Sequence, residues 1–225
     1  MRLRRVVLAS NNPGKLRELS SLLAPLGLQL EPQAALGVPE ADEPFATFLE
    51  NALAKARHAS RLTGLPALAD DSGLCVDALG GRPGVLSARW ALRSPGARAA
   101  AAVAAGAAEG GWRAPLDADA ANNAQLIADL ADCAERAAHY YCVLVLLRAA
   151  DDPQPIVADA SWHGEVIDAP RGAGGFGYDP HFLLRDEGCT AAELDPQRKN
   201  RLGHRGQALR LLVERLRRDR LVGPP

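Results

Sequence analysis

Two adjacent carboxylates stand in an otherwise apolar run, Ala67-Leu68-Ala69-Asp70-Asp71-Ser72-Gly73-Leu74-Cys75-Val76, and are followed by a small hydroxyl and a glycine. An unpartnered acid in such a run is costly to desolvate and neighbouring acids repel, so the pair requires something positive beside it. A divalent metal is the simplest candidate. The chemistry expected of the pair is therefore a magnesium-dependent reaction on a phosphorylated substrate, with the rest of the chain supplying phosphate binders and a specificity pocket.

The chain has 225 residues and 48% hydrophobic content, enough for one domain, of one or two lobes, around a sizeable core. No apolar run reaches membrane-spanning length, and the amino-terminal run is cut short by Ser10-Asn11-Asn12, so a cytoplasmic protein is expected. Cys75, Cys133, Cys142 and Cys189 show no C-x-x-C spacing and read as reduced thiols. A net charge of -1 gives no global field for nucleic acid or an anionic membrane, so any anion binding must be local. Arginine greatly outnumbers lysine, and the three lysines are Lys15, Lys55 and Lys199. Positions that keep lysine against such a bias are those that need a compact ammonium charge.

The elements that must position these groups follow from periodicity. Arg5 to Ala9 reads as a strand, Ser10-Asn11-Asn12-Pro13-Gly14-Lys15 as a polar turn, and Leu16, Leu19, Leu22 and Leu23 as one face of a helix. That turn is either a phosphate seat at a helix start or ordinary turn chemistry, and Leu16 rules out a Walker A loop. A second strand is expected near Leu28 to Leu30. The acidic loop Pro39 to Pro44 precedes a helix that opens on a capping box, Thr47-Phe48-Leu49-Glu50, which makes Glu50 a cap. Asn51 and Lys55 share a face of that helix, either as a second phosphate-facing pair or as a solvated outer edge.

Beyond the central strand, Gly80 to Trp90 is a glycine-rich loop with two arginines, either a plain long surface loop or, as loops of this length often are, a functional one. The Ala/Gly-rich segment 97–121 is expected as a surface insertion, followed by a helix over Asn122 to Ala137. Tyr140 to Leu147 is an apolar strand whose hairpin partner lies over Pro155 to Gly164. Gly172 to Pro180 carries Phe176, Tyr178 and Asp179 among glycines, so its aromatics either stack on a planar base or plug the core. A closing helix has Leu209, Leu212, Val213 and Leu216 on one face.

Six of these segments, in order, resemble the inosine triphosphate pyrophosphatase family. They are Ala9-Ser10-Asn11-Asn12-Pro13-Gly14-Lys15, Thr47-Phe48-Leu49-Glu50-Asn51-Ala52, Ala69-Asp70-Asp71-Ser72-Gly73-Leu74, Gly80-Gly81-Arg82-Pro83-Gly84, Gly174-Gly175-Phe176-Gly177-Tyr178-Asp179-Pro180 and Gly203-His204-Arg205-Gly206-Gln207-Ala208. The resemblance implies an α/β fold: a long mixed sheet flanked by helices, in two lobes with a nucleotide-binding cleft between them, as a homodimer without nucleic-acid or membrane partners. It further implies magnesium-dependent cleavage of dITP, ITP and XTP between the α and β phosphates, which cleanses the nucleotide pool.

Carried over by position, Ser10, Asn11, Asn12, Pro13, Gly14 and Lys15 hold the triphosphate, and Lys55 assists. Glu43 and Asp71 bind the metal. Asp71 is also the general base, Asp70 supports it, and Ser72 contacts substrate. Phe176, Gly177, Tyr178 and Asp179 form the base and sugar pocket, and Lys199, His204 and Arg205 read the purine edge. Such donors accept a keto oxygen at C6 and disfavour an amino group by up to roughly 10⁴. Two alternatives remain: a related pyrophosphatase for pyrimidine or modified nucleotides, and a nucleotide-binding regulator without catalysis. The lysine bias carries its own test, since Lys15→Arg keeps the charge yet should lower kcat/KM by on the order of 10²-fold through misplacement. Unchanged turnover in a substrate assay would discard that reading.

Overall fold

The computed structural model describes residues 2–93 and 118–222. Within them, strand β1 (Arg5–Leu8) pairs in parallel with β2 (Gln29–Pro32) on one side and with the start of β3 (Ala67–Val76) on the other. The remaining strands are β4 (Arg82–Pro83), β5 (Ala137–Leu147), β6 (Ile156–Val166), β7 (Phe182–Leu184) and β8 (Cys189–Thr190). The sheet runs β2-β1-β3-β5-β6-β7-β8, with β4 antiparallel on β3, so it is mixed as expected. The helices are α1 (Pro13–Leu23), α2 (Phe48–Thr63), α3 (Ala118–Asp129), α4 (Pro196–Leu202) and α5 (His204–Arg218).

The chain divides into two compact units, one of Met1–Ser72, Tyr141–Trp162 and Asn200–Pro225 and the other of Gly73–Tyr140 and His163–Lys199. In the first, two apolar clusters form on opposite faces of the strands. Leu8, Leu68, Cys142, Leu144 and Leu146 pack with Leu19 and Leu23 of α1 and Leu209, Leu212 and Leu216 of α5. Val7, Ala67, Ala69, Val143 and Val145 pack with Ala52, Ala56 and Ala59 of α2. The division is the period-2 alternation of a strand buried on both faces. On β3 it assigns Leu68 to the α1/α5 face and Ala67 and Ala69 to the α2 face, which fixes where the two following acids go.

The helix ends are locally encoded. Asn12 caps α1, its Oδ1 accepting the Gly14 and Lys15 N–H groups at 2.8 and 3.1 Å. Thr47 caps α2: its Oγ1 accepts the Glu50 N–H at 3.2 Å and its hydroxyl donates to the Glu50 carboxylate at 2.6 Å, so Glu50 is a capping group.

In the second unit the stretch Gly80 to Trp90 is not the surface loop expected. It forms β4 and a 3₁₀ segment over Gly84–Arg93, because Trp90 is buried and its indole N–H donates to Asp129 of α3 at 2.9 Å. The helix expected over Asn122 to Ala137 instead spans Ala118–Asp129, and β5 starts at Ala137, whose N–H is held by the Glu135 carboxylate at 2.8 Å. The expected insertion at 97–121 lies outside the described residues as far as residue 117, and 118–121 open α3. Among the described residues no helix is long and apolar enough to cross a membrane.

All four cysteines are free thiols, with Cys75 and Cys142 buried. Burial, helped by Asp77, pushes the Cys75 thiol up to about 11, and burial likewise raises Cys142. A thiol reagent at pH 8 should label Cys133 and Cys189 in the native protein, and the other two only after denaturation. Rapid native labelling of Cys142 would contradict this packing.

Candidate active site

The pairing of β1 with β3 ends at Leu8 opposite Leu68, with the Ala9 N–H on the Leu68 carbonyl at 2.8 Å. β3 continues past that point, carrying Asp70 and Asp71 beside the turn that leaves β1. Both are almost wholly buried, at 1% and 7% exposure. Strand alternation turns them to opposite faces, and each meets its own cations.

Asp70 faces α1 and α5. Its Oδ1 pairs with Lys15 Nζ at 2.5 Å, and its Oδ2 accepts from Arg205 Nε at 3.0 Å and from the Cys142 thiol at 3.6 Å. Burial alone would raise the Asp70 carboxyl. Lys15, Arg205 and the more distant Lys55 outweigh it and hold the group well below the usual carboxylate range, so it is anionic at any working pH. Arg205 is itself buried and is anchored by Glu18 of α1 through Nη1 and by the Ser72 hydroxyl through Nη2 at 3.0 Å. Its place is thus that of a counter-ion to Asp70, a different job from the purine-edge reading expected of it. Ser72 likewise serves Arg205 here. His204, also buried, lies against the Trp162 ring with centroids 6.4 Å apart.

Asp71 faces α2. Its Oδ1 accepts from Lys55 Nζ at 3.0 Å, and the same ammonium pairs with Glu43 at 2.7 Å. Burial pushes the Asp71 carboxyl up, Lys55 pulls it back, and Glu43 pushes it up again, for a net rise. Lys55, though buried, is held charged by Asp71, Glu43 and Asp70. Two neighbouring acids thus have pKa values driven in opposite directions, the pattern that separates a fixed anion from a proton acceptor.

The second oxygen of Asp71, Oδ2, is buried and takes no hydrogen bond among the described residues. Together with Glu43 it offers hard oxygen donors of the kind magnesium takes. No group of three or more His, Cys, Asp or Glu that could hold an ion occurs among the described residues. Magnesium is commonly bound by one or two carboxylates plus substrate phosphates, so the donor set fits that ion.

Of the turn expected to hold phosphates, Asn11, Asn12 and Pro13 are exposed and Ser10 is partly so. The Gly14 and Lys15 N–H groups are taken by the Asn12 cap. What the turn offers an anion is therefore its side-chain amides and the Lys15 ammonium. Asn51 is fully buried, and its side-chain amide is bonded to the Phe45 backbone.

The second unit carries a separate cluster. Asp179, 2% exposed, accepts the Phe176 N–H at 2.8 Å and the Lys199 ammonium at 2.6 Å. Lys199 Nζ lies 4.7 Å from the Phe176 ring centroid, and that ring is 39% exposed. Gly175 has no room for a side chain, since a Cβ there would lie 2.0 Å from Asp179 Oδ2, and its φ is +75°. Tyr178 differs from expectation: it is buried, with its hydroxyl donated to the Ser87 carbonyl at 2.8 Å. Phe176 alone of the two aromatics presents a face on which a base could stack. Gly177 is held at both ends of its backbone, by Asp119 on its N–H and by the Asn123 amide on its carbonyl.

The residues around Asp70 and Asp71 come from segments spread from Lys15 to Arg205, and a span of that extent, residues 6–215, matches the model of the Ham1 family. The chain belongs to the Ham1 family. It is 63% identical to the dITP/XTP pyrophosphatase of Ralstonia nicotianae over 96% of this chain and 98% of that protein. With the dITP/XTP pyrophosphatase of Bordetella pertussis it shares 58% identity over 99% of this chain and 96% of the relative. Among solved structures, a HAM1 protein from Coxiella burnetii superposes with TM-score 0.80 at 42% identity, covering 97% of this chain and all (100%) of that one. A nucleoside-triphosphatase / dITP/XTP pyrophosphatase from Mycobacterium abscessus gives TM-score 0.67 at 39% identity, over 94% of this chain and 99% of that one.

Removing the guanidinium from Asp70 leaves a buried acid short of a partner. Arg205→Met should cost about 3–5 kcal/mol in urea unfolding, and combining it with Asp70→Asn should recover part of the loss. Strict additivity would show that the pair does not act as a unit.

Proposed function

We infer that this chain is a nucleoside triphosphate pyrophosphatase, a hydrolase that cleaves nonstandard purine nucleoside triphosphates such as dITP, ITP and XTP between the α and β phosphates. The products are the monophosphate and pyrophosphate. The observation that carries the reading is the division of labour between adjacent buried acids, one held anionic by Lys15 and Arg205 and the other raised, with an oxygen to spare.

Asp71 accepts the proton of the attacking water, and its raised pKa makes it the better base of the two. Asp70 stays charged and keeps Lys15 and Arg205 in place. An ammonium has three N–H donors, so Lys15, which holds one carboxylate, and Lys55, which holds two, each keep a donor for a phosphoryl oxygen. The exposed amides of Asn11 and Asn12 and the Ser10 hydroxyl add neutral contacts. In-line displacement at phosphorus depends mainly on such positioning and charge neutralisation. Magnesium, held by Asp71 and Glu43, would supply Lewis-acid polarisation of the phosphates. Phe176 offers a stacking face, and Lys199, beside it, is a donor suited to a keto oxygen rather than an amino group. The setting that accompanies this reading is a cytoplasmic homodimer that clears the nucleotide pool, supported by the family membership and by a net charge of -1 that favours no polyanion.

Pyrophosphate release should be fastest with ITP and XTP, by up to roughly 10⁴ in kcat/KM over ATP. Faster turnover of dTTP or dUTP would transfer the chain to the pyrimidine reading, and intact nucleotide after long incubation with magnesium would make it a regulator. Asp71→Asn should lose about 10²–10⁴ in kcat while still binding nucleotide, and retained turnover would remove Asp71 from the base role.

A further inference from the structure

Three residues one or two turns apart on α2, Asn51, Lys55 and His58, all engage the acidic loop that precedes the helix. Lys55 meets the loop's Glu43 carboxylate. The other two hold its backbone. Asn51 accepts the Phe45 N–H at 3.1 Å through Oδ1 and donates to the Phe45 carbonyl at 3.2 Å through Nδ2, so both arms of one amide close on a single residue. At the other end of the loop, His58 Nε2 lies 3.0 Å from the Pro39 carbonyl, a partner that can only accept. The Phe45 side chain adds no anchor of its own, since the residue is 42% exposed.

We propose that Asn51, assisted by His58, is a positioning residue that holds the Pro39–Phe45 loop so that Glu43 reaches Lys55 and Asp71. Glu43 is 29% exposed at its side chain and sits in a loop of irregular backbone, so its distance from Asp71 depends on how that loop is held. Asn51 is wholly buried, and both polar atoms of its side chain go to this one bond pair. The spacing puts the clasp and Lys55 on one helix stripe, so α2 sets loop, ammonium and Asp71 as one unit. The inference rests on Glu43 and Asp71 as metal ligands, and groups that orient such ligands typically contribute 10–100-fold to affinity.

The test is Mn²⁺ binding, read by the loss of the free-ion EPR signal, in the wild type, Asn51→Ala, His58→Ala, Glu43→Gln and the Asn51→Ala/Glu43→Gln double variant, with circular dichroism on each. Asn51→Ala should weaken Mn²⁺ binding about 10-fold with native secondary structure retained, and the double variant should bind no more weakly than Glu43→Gln alone. His58, half-buried at the far end of the loop, should give a smaller loss in the same direction, and it carries the test if Asn51→Ala does not fold. Wild-type affinity in both clasp variants, or losses that multiply in the double variant, would overturn the inference. A Glu43→Gln variant that binds Mn²⁺ as the wild type does would instead remove the metal reading on which the inference stands.

Discussion

Everything in the catalytic unit follows from one constraint: two ionised groups on consecutive residues of a strand buried on both faces. In a loop or a helix they would share a neighbourhood and repel, and one would be forced neutral. The strand separates them by geometry. Asp70 is delivered to the face covered by α1 and α5, Asp71 to the face covered by α2, and each face then needs its own positive charge. Lys15 and Arg205 answer on one side and Lys55 on the other. The stability of the arrangement and its chemistry share an origin, because a buried carboxylate that is over-compensated becomes a fixed anion and one that is under-compensated becomes a base.

The two sides are also built differently. Around Asp70 the charges are locked by further bonds, Glu18 and Ser72 holding Arg205 and a thiol closing the remaining direction. Around Asp71 one oxygen is left over and the neighbouring acid sits on a loop. Rigidity is concentrated on Asp70, and spare acceptor capacity on Asp71. The same economy is visible in the second unit, where Asp179 is spent on Lys199 and a loop amide so that Phe176 can stay exposed.

Much of this was legible in the sequence. The strand–turn–helix opening, the capping box at Thr47, the apolar hairpin and the acid pair all announce themselves through periodicity and spacing, and the lysine bias picked out three ammonium groups that are all ion-paired in the structure. What escaped was direction. Nothing in Asn51 distinguishes an amide facing phosphate from one folded back on its own preceding loop, and nothing in Tyr178 says that its hydroxyl is used by Ser87. Glu18 was within reach, since it lies three residues from Lys15 on α1 and shares its face. Cys142, inside an unbroken apolar run, carried no signal at all. Trp90 is the one buried side chain of the 3₁₀ turns that follow the glycine-rich opening of its stretch, and no sequence signal marked that turn structure.

The two acids differ finally in how far along the chain their partners lie. Asp71 has its ammonium, its companion acid and the clasp within residues 39–58, just upstream, so its surroundings can assemble from nearby chain. Asp70 draws on Lys15, Glu18, Cys142 and Arg205, the last supplied by a helix close to the carboxyl terminus. During synthesis Lys15 is at hand early, but α5 must also have emerged before Arg205 can join it and the sheet face over Asp70 can be sealed. A chain that stops short of Arg205 leaves Asp70 with Lys15 alone and one buried oxygen without its guanidinium partner, where the core should close.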